Sequence, residues 1–321
     1  MRRAVGNIFS HGTLATLRPF VEQSVGRLLD KFAERLHDGP ADFVEIVSEE
    51  LPVITIGEWM GLPSADYALL RTLTHNQVHT QELFPTASEL AISDDATARL
   101  QSYFSELISE RRNHPGDDPV STWIRTWDAI EEDPAATDRT VRSIALFMIL
   151  AALETTSHML VNTVRLLLEH PHELNVLHQQ PELIPDAIEE SLRFDAPIHL
   201  NTRVAAEDTE LGGVPVSAGE LVQLMIGAAH HDPNHFQEPH IFDVRRRRRL
   251  AAAPSPIGPS FHLGFGAGIH YCLGSSLARL EAVALITGLV KRSVPLRIST
   301  PPVWAPRVAF RRMTSFQLTF P

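Results

Sequence analysis

Apolar residues between Leu14 and Leu36 recur at helical spacing (Leu17, Phe20, Val21, Val25, Leu28, Leu29, Phe32), and Gly39-Pro40 ends the pattern. This predicts an amphipathic helix. Helical periods at residues 49–60, 65–77 and 96–112 follow, separated by proline- and glycine-bearing breaks, so the first half reads as all helix. Asp138 is placed to cap a long helix through residues 141–169, stopped by His170-Pro171. The middle of that helix is apolar all round, which predicts that it crosses the interior. Shorter helices are expected at residues 172–179 and 181–194. From His199 the period falls toward two, predicting strands around residues 201–204, 214–216 and 221–224 with a turn at Gly212-Gly213. A loop-rich stretch at residues 230–259, a helix at 275–291 and an alternating tail at 296–320 complete the chain. The fold class is mainly α with a minor β part, in one domain over residues 1–321 without internal repeat or linker.

Composition narrows the functions. The 321 residues are 44% hydrophobic and 21% charged, enough for a sizeable core. Twenty-eight Lys and Arg against 39 Asp and Glu give a net charge of -11, which argues against nucleic acid and anionic membranes as partners. Cys272 is the only cysteine, so no internal disulfide forms and a reducing, cytoplasmic compartment is expected. The start MRRAVGNIFSHG lacks a signal-peptide core, and the longest uninterrupted apolar run, residues 144–153, is too short to span a bilayer.

Three segments carry candidate chemistry. Residues 261–274 place four glycines and the thiol directly before a helix, where the dipole and free amides favour a thiolate. Thiolate donation to haem iron is one chemistry this serves; an inert buried cysteine is the plain alternative. A dinucleotide G-x-G-x-x-G is not completed, because positions 269 and 271 are Ile and Tyr. Glu190 and Arg193 lie at i,i+3 on one helix face, an arrangement usually found as solvated surface charge. In the long apolar helix, Glu154 and Thr155 are an acid and a hydroxyl that need partners if buried. The alternative is a back-bonded threonine and a glutamate reaching solvent, and for Thr156 and Ser157 back-bonding is the expected state. His230, His231, Asp232 and His235 could suggest a metal, but Pro233 favours a structural loop. The run Arg245–Arg249 could suggest nucleic acid, against the acidic whole.

The stretch FGAGIHYCLG, residues 265–274, resembles the haem-ligand loop of the cytochrome P450 superfamily, of the soluble bacterial type. The resemblance implies a haem b whose iron is ligated by Cys272, with Phe265 and Gly266 beside the sulfur and His262 and His270 near the propionates. Arg203 resembles the family's propionate-binding arginine. Glu190 and Arg193 resemble its E-x-x-R pair, with Arg246 as third member. Ala151, Glu154 and Thr155 fall on the oxygen-binding groove, Ala151 against the cofactor and the other two relaying protons. The function implied is a monooxygenase inserting one atom of O2 into a small organic substrate by hydroxylation or epoxidation. Electrons come from a separate ferredoxin- or flavodoxin-type donor. Met148, Leu153, Ile198, Leu200, Met313 and Thr314 are the expected substrate-facing residues.

The match covers the whole chain but begins inside the family pattern. Residues 1–9 resemble the later part of a helix that in full-length relatives follows the first strands and the loop over the distal face, so an N-terminally shortened fold is expected. Strands near Asn201 and Val214 would then lack partners, lowering stability and haem affinity. Ala152 stands where the family usually has glycine and could crowd the dioxygen groove. A catalytically inactive member acting as a binding or recruitment module is the alternative.

Overall fold

Residues 11–251 and 261–321 are described in this computed structural model, without the side chains of His11 and Ala251. The helix end expected at residues 1–9 and the last part of the 230–259 loop lie outside the described residues. Helix α1 (His11–His37) buries Leu17, Val21, Val25, Leu28, Leu29 and Phe32, the positions whose spacing predicted it. It packs on α11 (Ser275–Arg292), closely enough that a Cβ on Gly288 would lie 3.0 Å from Leu29 and 3.1 Å from Val25. A side chain there would require Leu29 and Val25 to give way by a few tenths of an ångström.

The first half is not all helix. β1 (Ala41–Asp42) pairs antiparallel with β9 (Gln317–Thr319), which also holds β6 (Arg297–Ile298), so the start of the described chain is tied to its end. Asp42 makes the tie by accepting from Ser315 Oγ at 2.6 Å, Gln317 Nε2 at 3.0 Å and Phe316 N at 3.1 Å. A two-residue strand has no period to read.

α2 (Glu50–Met60) and α3 (Tyr67–Gln77) follow expectation. α4 (Ala87–Asn113) starts well before the apolar period, because Thr86 and Glu89 form a capping box ahead of it. α5 (Pro119–Asp128), capped by Asp118 with proline in its first turn, was not foreseen. The long helix α6 (Pro134–Glu169) is capped by Asp133, not Asp138; Asp138 instead accepts from Arg112 Nε at 2.7 Å. Pro134 explains the earlier start, since a proline in the first turn needs no donor.

α6 crosses the interior, touching α2, α3, α4, α5, α8 (Ile184–Phe194) and α11. By length and composition it could cross a membrane, but most of its apolar stretch is buried in this fold. Between α6 and α8 lies α7 (Pro171–Gln179). The β part is small: β2 (Leu200–Val204) with β5 (Leu221–Met225), β3 (Thr209–Leu211) with β4 (Val214–Val216), and β7 (Val303–Trp304) with β8 (Met313–Ser315). The expected turn at Gly212-Gly213 has positive φ at both residues, 58° and 84°, which glycine accepts without strain. Short helices α9 (Ile226–Ala229) and α10 (Arg246–Ala251) interrupt the loop region.

Glu281 of α11 is buried at 3% exposure in the core. Burial pushes its carboxyl up to about 8, and the Thr55 hydroxyl offsets this only in part. Folded chains therefore keep a proton that unfolded chains lose above the ordinary value of 4.5, so stability should fall as pH rises from 4.5 to 8. The slope from this one group is at most about 1.4 kcal/mol per pH unit. Glu281→Gln should flatten that fall in urea denaturation followed between pH 5 and pH 8; an unchanged slope would contradict the assignment.

Candidate active site

Glu190 and Arg193 of α8 are fully buried, which is unlike the surface pair that their spacing ordinarily makes. Arg193 grips the carboxylate bidentately, Nε to Oε2 at 2.8 Å and Nη2 to Oε1 at 2.7 Å. Arg246 adds a third bond, Nε to Oε1 at 3.1 Å, so the triad expected from sequence forms. The remaining guanidinium donors go to backbone carbonyls. Arg193 Nη1 reaches His230 and Pro239 at 2.9 Å each, while Arg246 reaches Gln237 at 2.5 Å and Ile241 at 2.7 Å. Two helices and the segment 230–246 are thereby knotted around one carboxylate. The neighbouring arginines are neutralised within the fold: Arg247 and Arg248 pair with Asp186, and Arg249 with Asp243.

His230 carries the knot to the thiol loop. Its carbonyl accepts from Arg193, and its ring Nε2 accepts from the Leu263 backbone N–H at 2.8 Å. Burial, with the nearby His262 and Arg193, pushes the ring down to about 3, so it is neutral and able to accept. His231 bonds the Phe194 carbonyl at 2.9 Å and stacks on His240. His230 and His231 are thus tied into the fold by hydrogen bonds, and no group of three or more metal-ligating side chains converges among the described residues.

Beyond Leu263 the loop folds on itself: Gly266 N donates to Leu263 O at 2.8 Å, and Cys272 N donates to Phe265 O at 2.8 Å. Gly266 and Gly268 hold φ of 70° and 63°, a left-handed backbone that explains glycine at both places. Cys272 is exposed, two residues before Gly274, the N-cap of α11. Phe265 lies under the Arg279 guanidinium, 4.4 Å from its ring centre. Arg279 in turn chelates Glu189 at 2.6 and 2.9 Å. Burial would raise the Glu189 carboxyl, but its bonds to Arg279 and His262 hold it at about 2.

His262, expected near a propionate, is buried, its Nδ1 accepting from Gly264 N at 3.0 Å and its Nε2 lying 3.2 Å from Glu189 Oε2, so it supports the loop from beneath. His270 is exposed on the short turn Gly268–His270. Arg203 is exposed on β2, donating to Asn201 Oδ1 at 3.0 Å and the Thr202 carbonyl at 2.9 Å.

On α6, Phe147, Ala151 and Thr155 recur every four residues and form an open strip: Phe147 is 62% exposed, Ala151 exposed and Thr155 half-buried. The Thr155 hydroxyl donates to the Ala151 carbonyl at 2.8 Å, so the back-bond expected at Thr156 and Ser157 forms at Thr155. Ala152 is half-buried against the core, one position off the strip. Met148 and Leu153 are core residues rather than substrate-facing ones, as is Met313. The core claims these larger side chains because they fall on the inner helix face. Ile198 and Leu200 pack on a small cluster of Val78, Ala309 and Phe310. Thr314 lies on the wall of a polar cavity.

Glu154 is buried at 2% among charged and titratable side chains that meet part of the cost of its burial. Arg307 Nη1 donates to its Oε1 at 2.6 Å; His75 and His158 lie within 3.6 Å, and Arg312 within 3.9 Å. Burial raises its carboxyl despite Arg312 and Arg307. Arg312 Nη2 also donates to His75 Nδ1 at 2.9 Å, so the ring proton sits on Nε2, facing Glu154. Burial and the arginines push His75 down to about 3. No motif marks His75, Arg307 or Arg312, and their distance along the chain hid them from sequence reasoning.

These residues suit a haem: one thiol donor, exposed apolar side chains at Phe147, Ala151 and Ile269, and Arg203 and His270 as polar partners for two carboxylates. Residues 70–293 match the family model described as Cytochrome P450. The chain is 32% identical over 326 residues to the biotin biosynthesis cytochrome P450 of Bacillus subtilis (strain 168), spanning 100% of this chain and 77% of that one. It is 32% identical over 322 residues to the cytochrome P450 monooxygenase PikC of Streptomyces venezuelae, spanning 99% and 72%. A crystal structure of P450BioI, in complex with hexadec-9Z-enoic acid ligated acyl carrier protein, superposes with a TM-score of 0.88 at 30% identity. That match spans 99% of this chain and 78% of the other.

The buried knot gives a paired test. Arg246→Ala takes one bond from Glu190 and the guanidinium donors from the Gln237, Glu238 and Ile241 carbonyls, and should destabilise by about 3 kcal/mol or more in urea denaturation. Arg247→Ala removes a half-exposed pair and should change stability by less than about 1 kcal/mol. Equal effects would contradict the structural role of the triad.

Proposed function

The chain belongs to the cytochrome P450 family, and from that premise we propose that it is a haem-thiolate monooxygenase, one domain over residues 1–321, working in the cytoplasm. It inserts one atom of O2 into a small organic substrate, by hydroxylation or epoxidation. The observation that carries this reading is the loop at Cys272, which is ordered from outside by His230 and Phe265 and leaves its thiol side exposed.

In this reading Cys272 would hold the iron of a haem b, Arg203 and His270 would take its propionates, and Phe147 and Ala151 would meet its apolar surface. Bound haem supplies dioxygen activation, aided by electron donation from the thiolate and fed by a separate ferredoxin- or flavodoxin-type donor. The protein's own residues handle the protons. Thr155 holds a hydroxyl proton on the Ala151 carbonyl, from which a rotation about χ1 turns it toward the open strip. Glu154, raised by burial, is the group able to hold a proton next to it. His75 presents its Nε2 proton 3.6 Å from Glu154 Oε2 and lines a cavity open to solvent, which supplies an entry for the next proton.

Haem-loaded protein, reduced under carbon monoxide, should give a thiolate-type Soret band. Cys272→Ser should lose that band while retaining the far-ultraviolet dichroism of the helices. The same band in both proteins would overturn the assignment.

A further inference from the structure

A cavity of about 530 Å³ opens between α3 and the segment leading into β8, lined by Arg71, His75, Glu49, Glu89, Arg307 and Arg312. Sites for small organic molecules are mostly apolar with a few placed polar groups. This one has three guanidiniums in its wall, held in place by carboxylates: Arg71 by Glu50, Arg307 by Glu154 and Arg312 by Glu49. Arginines fixed in this way lose little side-chain freedom when they take a further oxyanion. Arg312 has an Nε that is buried without an acceptor among the described residues. Its side chain is only 15% exposed, so it is directed by the fold and not by solvent.

We propose that this cavity takes the anionic head, a carboxylate or a phosphate monoester, of an elongated organic substrate whose apolar remainder lies along the Phe147, Ala151 and Thr155 strip. The inference rests on the monooxygenase reading and names the substrate class for it. Arg307, in the cavity wall, bonds Glu154, the residue before Thr155 on α6, which ties the cavity wall to the helix that carries the strip. The local field agrees. His75 is pushed down by burial and then by Arg312, Arg71 and Arg307, with no carboxylate among the causes acting in the other direction. Burial raises Glu49 and Glu154 against the pull of their arginines, while bonds to Thr86 lower Glu89 on the same wall. A planar guanidinium pair recognises carboxylate and phosphate oxygens bidentately, whereas an alcohol offers one weak acceptor.

The test uses the haem-loaded full chain at low salt, with octanoate, octyl phosphate and octanol as probes and calorimetry as readout. At least one of the two anions should bind about tenfold or more tighter than octanol, equivalent to about 1.4 kcal/mol. Whichever binds tighter identifies the head group as carboxylate or phosphate. Arg312→Gln should lose the preference and Arg312→Lys retain part of it. Octanol binding as tightly as both anions to the unmodified protein would overturn the inference, and that comparison needs no variant to fold. The carbon monoxide band of the same samples reports on the monooxygenase reading separately. Equal affinities with a normal band remove the anion site alone; anion preference without a thiolate band keeps the site and removes the monooxygenase.

Discussion

One buried carboxylate, Glu190, shared by Arg193 and Arg246, is the constraint on which the rest of the thiol side depends. Three charges without solvent are stable only when their hydrogen bonds are met, and here backbone carbonyls from His230 to Ile241 meet them. That requirement fixes the path of a segment with little regular structure. The path sets the His230 ring, the ring holds the Leu263 N–H, and two left-handed glycines bring the chain round to Cys272. The loop has almost no secondary structure to order itself, so its shape is imposed by a charge knot several turns away.

The second buried acid behaves differently. Glu154 sits among Arg307, Arg312, His75 and His158, but its Oε2 and the Nδ1 of His158 are buried without hydrogen-bond partners among the described residues. A knot with its bonds met holds a shape; a network with unmet polar atoms keeps capacity for protons or a ligand. Titratable groups displaced by burial occur along α6 and the polar cavity and, at His230, on the thiol side, where the arginines are kept in tight pairs.

Much of this was legible in the sequence, and the exceptions have physical causes. α1 and α6 were readable because long helices accumulate many periods of apolar spacing. β1 and α5 were not, since a two-residue strand has no period and α5 is marked chiefly by its Asp118 cap and Pro119. The Glu190, Arg193 and Arg246 triad was legible through its motif, although spacing alone would have placed the pair on the surface. His262 is placed near a propionate by the family resemblance alone, and no local pattern reports its tertiary contact with the Glu189 carboxylate. Met148 and Leu153 were assigned to the open face by apolar character, when the helical period places Phe147 and Ala151 there. Arg307, Arg312 and His75 meet Glu154 only through tertiary packing, and no local pattern reports such contacts.

A haem-thiolate centre in this chain requires the Cys272 sulfur at the iron. X-ray absorption at the iron edge of the haem-loaded protein measures that atom directly. A single sulfur neighbour in the first coordination shell, lost when Cys272 is replaced by serine, is the expected result. A shell made only of nitrogen and oxygen in the unmodified protein would contradict it.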